Sequence, residues 1–322
     1  MEGITTTDKL QVADYTLGKN VHLLGGSFYL CYQQGLLDWL NEQNPDALIV
    51  EANPRYLSTP AAIKWMHEQD RPVIGWGLGS PPLSGPLAGF RQMRRLSFLQ
   101  EFDAMIAYSQ RGADEYARQG FPLDYLFVAH NSVSPSPNWQ MPERPETFGE
   151  QPCILFVGRL QARKNVDLLL GACAEIQNVR LVIVGDGPER ESLEDLAGEI
   201  YPSAEFVGAR HGAELKPYFA EADLFVLPRS RGLAVQEAMS YGLPVIVAQG
   251  DGTQDDLVRK ENGWQIPPAA RDFEALVVTM KDALSDVARL RRMGEESYRI
   301  VKEEINIERM TETFVTALNS LK

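Results

Sequence analysis

The chain has 322 residues, with 31 Lys and Arg against 44 Asp and Glu, a formal charge of −13. At about 150 residues per domain this length predicts two domains, and 44% apolar with 23% charged residues excludes a disordered or fibrous chain. The acidity argues against general nucleic-acid binding, which needs a basic face, and there is no apolar run of the roughly 18 residues that a membrane-crossing helix needs.

In chain order, apolar spacing predicts a helix over 28–43, then a buried strand at Ala47–Glu51. A helix over 58–69, a strand at Pro72–Trp76 and a helix over 86–101 follow. Next come a strand at Ala104–Tyr108, a helix over 110–119 and a strand at Tyr125–Ala129. Pro135, Pro137, Pro142, Pro145 and Pro152 then crowd one stretch. Proline lacks an amide hydrogen and fixes φ, so 135–152 reads as an interdomain linker.

Beyond it, strands are predicted at Cys153–Val157, Arg180–Val184, Ala204–Val207, Leu224–Leu227 and Pro244–Val247, each followed by a helix. The tail reads as helices over Arg271–Leu284, Asp286–Glu303 and Ile307–Leu321, the last with Met310, Phe314, Val315 and Leu318 on one face. Continuous Val, Ile, Leu and Phe runs suit parallel strands covered on both faces. The alternation predicts two doubly wound α/β domains whose ligands sit past the carboxyl ends of strands. Two such domains facing each other would hold substrate in the cleft between them.

The opening MEGITTTDKLQ lacks the basic-then-apolar order of a signal peptide. Cys31, Cys153 and Cys173 are an odd count in apolar settings with no CxxC pair. They read as buried free thiols of a reducing, cytoplasmic setting.

The loops after the strands carry the chemistry. Cys153–Val157 leads into Gly158, Arg159 and then Lys164, an anion site if the next helix start adds its amides, or else a solvated basic turn. Arg180–Val184 runs into Gly185-Asp186-Gly187, a turn that many strand-to-helix joints use. Leu224–Leu227 leads through Arg229, Ser230, Arg231, Gly232 and Leu233 into a helix bearing Glu237. Those amides and guanidiniums suit a phosphate. The carboxylate suits a vicinal diol such as a ribose, or merely favours the helix dipole. Pro244–Val247 ends in a loop where Thr253 or Asp255 would cap the next helix. Before the linker, Glu51, Asn53 and Arg55 follow one strand and Asn131 another, as weak candidates for an acceptor side. Arg91, Arg94 and Arg95 share one predicted helix, as a solvated face or as a contact for anionic lipid or glycan.

The inventory suits a nucleoside diphosphate with a ribose. There are only four histidines, with no HExxH, so no metal or other cofactor is expected. GxSxG, the Walker pattern and a complete GxGxxG are absent as well.

The stretch FVGRLQARKNVDLLL, LVIVGDGPERESLEDLA, PRSRGLAVQEAMSYGLPVIV and NGWQIPP, in order over 153–268, resembles the nucleotide-sugar domain of glycosyltransferase family 4. The resemblance implies a GT-B fold of two Rossmann-like domains facing a cleft. Residues 1–134 would form a shortened acceptor-side domain, 153–302 the donor domain, and 303–322 a helix packing back on the first. It implies a retaining, hexosyl-type transfer from a nucleotide-diphosphate sugar, UDP-linked by preference or GDP-linked, to a glycan, lipid-linked or small-molecule acceptor. Arg159 and Lys164 would grip the diphosphate, Gly232 and Leu233 would supply amides, Glu237 would hold the ribose, and Val207 and Gly208 would meet the base. Arg229 stands where the family has the first glutamate of its pair, and the histidine expected near Gly77-Leu78-Gly79 is absent. Those departures motivate a second reading, a weakly active or inactive nucleotide-sugar-binding scaffold of a polysaccharide assembly system. Neither reading expects nucleic acid or an integral membrane span. Peripheral membrane contact and the oligomeric state are left open.

Overall fold

The structure is a computed structural model that describes residues 12–23, 29–229, 234–250, 252–267 and 272–321. Before the proline run it comprises β1 (Lys19–Leu23), β2 (Leu30–Gln34), α1 (Leu36–Gln43), β3 (Leu48–Glu51), α2 (Thr59–His67), β4 (Val73–Gly77), α3 (Ala88–Leu99), β5 (Ala104–Ala107), α4 (Gln110–Arg118) and β6 (Leu126–Val128). After it come β7 (Cys153–Val157), α5 (Val166–Ile176), β8 (Arg180–Val184), α6 (Arg190–Ile200), β9 (Glu205–Gly208), α7 (Lys216–Glu221), β10 (Leu224–Leu227), α8 (Ala234–Ser240), β11 (Val245–Ala248), α9 (Thr253–Leu257), β12 (Gly263–Ile266), α10 (Phe273–Leu284), α11 (Val287–Arg299) and α12 (Ile307–Asn319).

The larger sheet runs β12-β11-β10-β7-β8-β9, with every neighbouring pair parallel. Read outward from β7, the chain adds β8 and β9 on one side, then crosses back to add β10, β11 and β12 on the other. This is the doubly wound order of a dinucleotide-binding sheet, and the reversal falls between β7 and β10. Every residue of β10 and β11 is buried, as both-face coverage requires. Each buried Val, Leu, Ile or Phe contributes about 1.5–3 kcal/mol, so this sheet and its helices form the main core.

A smaller sheet runs β3-β4-β5-β6, with β3 and β4 parallel, and a separate antiparallel hairpin pairs β1 with β2. By compactness the chain divides into one unit of residues 1–77, 82–105 and 321–322 and another of 78–81 and 106–320. The division falls inside β5.

The proline run forms no regular element, yet it is tied down. The Arg144 guanidinium donates to the carbonyls of Phe219, Ala222, Tyr241 and Gly242 at 2.8–3.3 Å. Burial, with Arg291 beside it, pushes its pKa down to about 10. Trp139 stacks on Tyr241 at 5.3 Å.

Three sequence expectations change. The helix predicted over 28–43 is β2 followed by α1, because Leu30–Gln34 pairs residue by residue with β1 and Gly35 breaks the path at φ 80. Gly263–Ile266, unassigned from sequence, is the edge strand β12 on β11. The helix predicted over Asp286–Glu303 ends at Arg299 and widens into a π-turn, Ile300–Glu304. In α12 the buried contact is Ala317, while Val315 faces out. The tail helices begin where sequence signals put them, with Asp272, Asp286 and Asn306 accepting from Ala275, Arg289 and Arg309 amides. The start of α9 is different: its N-cap is Gly252 at φ 99, which has no side chain to cap with.

Candidate functional site

The site candidates beyond the linker converge on the carboxyl edge of the larger sheet. Three glycines end three adjacent strands in a backbone ladder. Gly158 N donates to Val184 O at 3.0 Å, and Gly185 N donates to Gly208 O at 2.9 Å. The loops touch backbone to backbone: a Cβ on Gly185, which has φ +152, would lie 1.9 Å from the Gly158 carbonyl oxygen. A Cβ on Gly187 would lie 2.2 Å from the Leu160 carbonyl oxygen, so both glycines are required by close approach. Gly185 is thus a packing residue, in close backbone contact with Gly158. At the end of β9, Gly208 is buried and Val207 is half-buried.

Arg159 follows that ladder and is exposed. The chain then makes a 3₁₀ turn, Ala162–Lys164, and Asn165 enters α5 from the left-handed region at φ 54. Asparagine tolerates that conformation better than most residues. Its side-chain amide donates to the Pro228 carbonyl at 3.3 Å, which joins the loop after β7 to the loop after β10. Those are the two strands flanking the reversal in strand order, where ligands of such sheets bind.

The join concentrates cations. The Lys164 ammonium is held below its ordinary value of 10.5 by burial first and then by Arg163 and Arg229. A partly buried ammonium with two guanidinium charges acting on it is stabilised by a nearby anion. Arg229 itself is exposed and its amide donates to Leu227 O at 2.6 Å. Ser230, Arg231, Gly232 and Leu233, expected to bind phosphate, lie outside the described residues.

Glu237 sits in the first turn of α8, half-buried. Burial pushes its carboxyl above the ordinary range. Its charge in turn raises the Tyr241 phenol, after burial as the larger cause.

Sequence reasoning missed the residue beside it. Gln236 is buried: its Nε2 donates to Ser132 Oγ at 2.5 Å and Ile305 O at 2.8 Å, and its Oε1 accepts from Val133 N at 3.1 Å. It pins α8 to two other segments. Asp256 was missed as well. Its carboxylate accepts from Gln110 N at 2.8 Å, at the start of α4, and lies 3.3 Å from His130 Nε2. No periodicity marks either residue; each is a polar side chain in a run that reads as helix.

The candidates before the linker divide. Glu51, Asn53 and Arg55 lie in one loop of the smaller unit: Asn53 Nδ2 donates to Glu51 Oε1 at 3.1 Å, and Arg55 N donates to Asn53 Oδ1 at 3.1 Å. That pattern shapes a turn. Asn131 belongs to the larger unit, exposed, with its amide on Tyr108 O at 3.3 Å. The glycine of Gly77-Leu78-Gly79 that lies in the larger unit is explained by packing. Gly79 N donates to the Tyr116 hydroxyl at 3.2 Å, and a Cβ on Gly79 would meet Glu115 at 2.6 Å.

Among the described residues, no group of three His, Cys, Asp or Glu is placed to hold a metal ion. The three cysteines are unpaired and buried, and burial pushes the Cys153 and Cys173 thiols up to about 12. No helix among the described residues is long and apolar enough to cross a membrane.

Comparison with known proteins gives the family and the fold. The chain is 32% identical over 209 residues to a GDP-mannose-dependent alpha-mannosyltransferase of Mycobacterium tuberculosis, covering 63% of this chain and 53% of that protein. It thus spans about half the length of that relative. It is 23% identical over 299 residues to the lipopolysaccharide core biosynthesis glycosyltransferase LpsE of Rhizobium meliloti, covering 88% and 87% of the two chains. The structure of Anabaena Alr3699/HepE in complex with UDP superposes with a TM-score of 0.64 at 17% identity, covering 87% of this chain and 80% of that one. The fold is that of the GT-B glycosyltransferases, an α/β architecture with parallel sheets. Residues 138–300, about half the chain and the whole of the larger sheet, match the family Glycosyl transferases group 1, and the chain belongs to that family.

Proposed function

We propose that this chain is a retaining glycosyltransferase that moves a sugar from a nucleotide-diphosphate sugar to a glycan, lipid-linked or small-molecule acceptor. The carrying observation is the cation cluster at the sheet's reversal point, where Asn165 joins the Lys164 loop to the Arg229 loop. In this reading 153–302 binds the donor, and the segments before 134 serve the acceptor.

The transfer breaks the bond between the anomeric carbon and the diphosphate oxygen. The acceptor hydroxyl forms the new bond on the same face and its proton passes to the departing phosphate. Negative charge grows on the diphosphate, so cations already in place lower the barrier without reorganising. Arg159, Lys164 and Arg229 take that role, and Glu237 accepts the ribose hydroxyls. Arg229 adds a cation where other family members carry an acid. The protein's own cations neutralise the leaving group, so no metal or other cofactor is invoked.

The mannosyltransferase relative favours GDP-mannose, and the UDP-bound neighbour favours a UDP-sugar. Unpaired cysteines suit a cytoplasmic setting. The test is release of nucleoside diphosphate from a panel of GDP- and UDP-sugars with and without glycan and lipid-linked acceptors, in buffer and in chelator. Acceptor-dependent release that survives chelation is expected. Donor binding with no release by any acceptor would overturn the transferase reading.

A further inference from the structure

The helix α3 presents an unusual surface. Its carboxyl end is anchored: Phe98 and Leu99 are buried, and Phe98 meets Phe102 edge to face at 5.2 Å. Its amino half projects outward. Leu87, just before the helix, is 75% exposed, Phe90 is 54% exposed and Met93 is 59% exposed. At 100° per residue Phe90 and Met93 are neighbours on the helix surface, with the exposed Arg94 beside Phe90, the exposed Arg91 further round, and Leu87 at the N-cap of the same end. Single exposed apolar residues are ordinary, but three large ones at one helix end are not.

The sequence that carries α3 is opposite in charge to the chain as a whole. Between Asp70 and Glu101 there is no acidic residue, and the segment carries Arg71, Arg91, Arg94 and Arg95. A net positive segment within a chain of formal charge −13 stands out against the background. Large apolar side chains flanked by arginines, in a stretch of sequence without acids, match an anionic lipid surface. The apolar side chains enter the headgroup boundary and the guanidiniums pair with lipid phosphates. A nucleic acid would use the arginines but leave the apolar side chains in water.

We infer that α3, through Leu87, Phe90, Met93, Arg91 and Arg94, docks this protein on the surface of an anionic membrane. The chain enters α3 from the carboxyl end of β4, the end of the β3–β4 pair from which the Glu51–Arg55 loop also leaves. Docking there would bring the smaller unit's loops to a lipid-linked substrate. That last consequence rests on the transferase reading; the docking itself does not.

The test is cosedimentation of the 322-residue chain with phosphatidylcholine vesicles and with vesicles that also contain phosphatidylglycerol. Binding to the second alone, falling with added salt, is expected. At about 1 kcal/mol per basic residue near an anionic surface, Arg91→Gln with Arg94→Gln should weaken it about 30-fold. Phe90→Ser with Met93→Ser should weaken it at least 10-fold, at about 1.5 kcal/mol or more for a buried aromatic. The native thiols are buried, so a Met93→Cys chain takes a polarity-sensitive dye at one place, and its emission should shift to the blue on anionic vesicles. No binding at low salt, binding that both variant pairs leave unchanged, or dye emission that stays put would overturn the inference. So would self-association of the free chain that Phe90→Ser abolishes, since the covering surface would then be a second copy. Neither readout needs donor or turnover, so docking and transfer can fail separately.

Discussion

The side-chain amide of Asn165 reaches across 3.3 Å to the backbone carbonyl of Pro228. This bond spans the point where the strand order of the larger sheet reverses, beside a Lys164 ammonium that burial first, and then the charges of Arg163 and Arg229, hold below its ordinary value. Asn165→Gly keeps the left-handed backbone and removes the tie. A neutral hydrogen bond contributes about 1 kcal/mol to stability, so the melting temperature should fall by a few degrees, and nucleotide affinity should fall with it because the two loops are no longer tied. Calorimetric titration and thermal unfolding on one preparation check both halves.

Glu237 couples pH to binding and to stability in opposite directions. Burial raises its carboxyl pKa, so the folded state favours the neutral form. That contribution is present in full below the unfolded value and is lost as pH rises through the folded one. Glu237→Gln should therefore raise the melting temperature near neutral pH, with the gain vanishing in acid. The same change should weaken nucleoside diphosphate binding about 10-fold or more, because only the ionised carboxylate accepts both ribose hydroxyls. Equal stability with unchanged affinity would remove Glu237 from the site.

Gly185→Ala tests the close backbone contact with Gly158. The added Cβ would meet the Gly158 carbonyl oxygen at 1.9 Å, and the backbone there has φ +152. Backbone cannot yield as a flexible side chain does, so the cost should exceed the 1–3 kcal/mol or so typical of overpacking. Chemical denaturation is the measurement, with Gly198→Ala as the control, since nothing lies within 4 Å of a Cβ there.

Gln236→Leu keeps the size of the side chain and abandons three polar partners, Ser132, Val133 and Ile305. Leaving a buried amide and carbonyl unpaired costs about 1–3 kcal/mol. Lower stability is expected, together with weaker nucleotide binding through the neighbouring Glu237. Gln236→Glu, which can still accept from Val133 N but sets a buried carboxylate oxygen against the Ile305 carbonyl, should not restore stability at neutral pH.

Much of this was legible in the sequence, for identifiable reasons. The strands of the larger sheet are covered on both faces, so they appear as unbroken apolar runs, and Cys153–Val157, Arg180–Val184 and Leu224–Leu227 match to the residue. The β1–β2 hairpin was not legible, because Leu30–Gln34 becomes a strand through pairing with a partner that is largely exposed. Arg159, Lys164 and Glu237 stood out as charges beside glycine-rich turns. Gly185 stood out as well, though the structure makes its first duty packing against Gly158. Gln236 and Asp256 were silent, since a buried polar side chain shows its purpose only when its partners, far off in sequence, are in place.

The central claim is that the loops after β7 and β10 form one anion site. Calorimetric titration of UDP and of GDP into the wild type, Lys164→Ala and Arg229→Ala tests it most directly. A charged hydrogen bond contributes about 1.5–3 kcal/mol, so each variant should bind the nucleoside diphosphate about 10- to 100-fold more weakly while binding the bare nucleoside as before. Wild-type affinity should also decline with rising pH earlier than an ordinary lysine would dictate, because the Lys164 pKa is lowered, and Lys164→Ala should flatten that decline. Diphosphate affinity that stays unchanged in both variants would contradict the account.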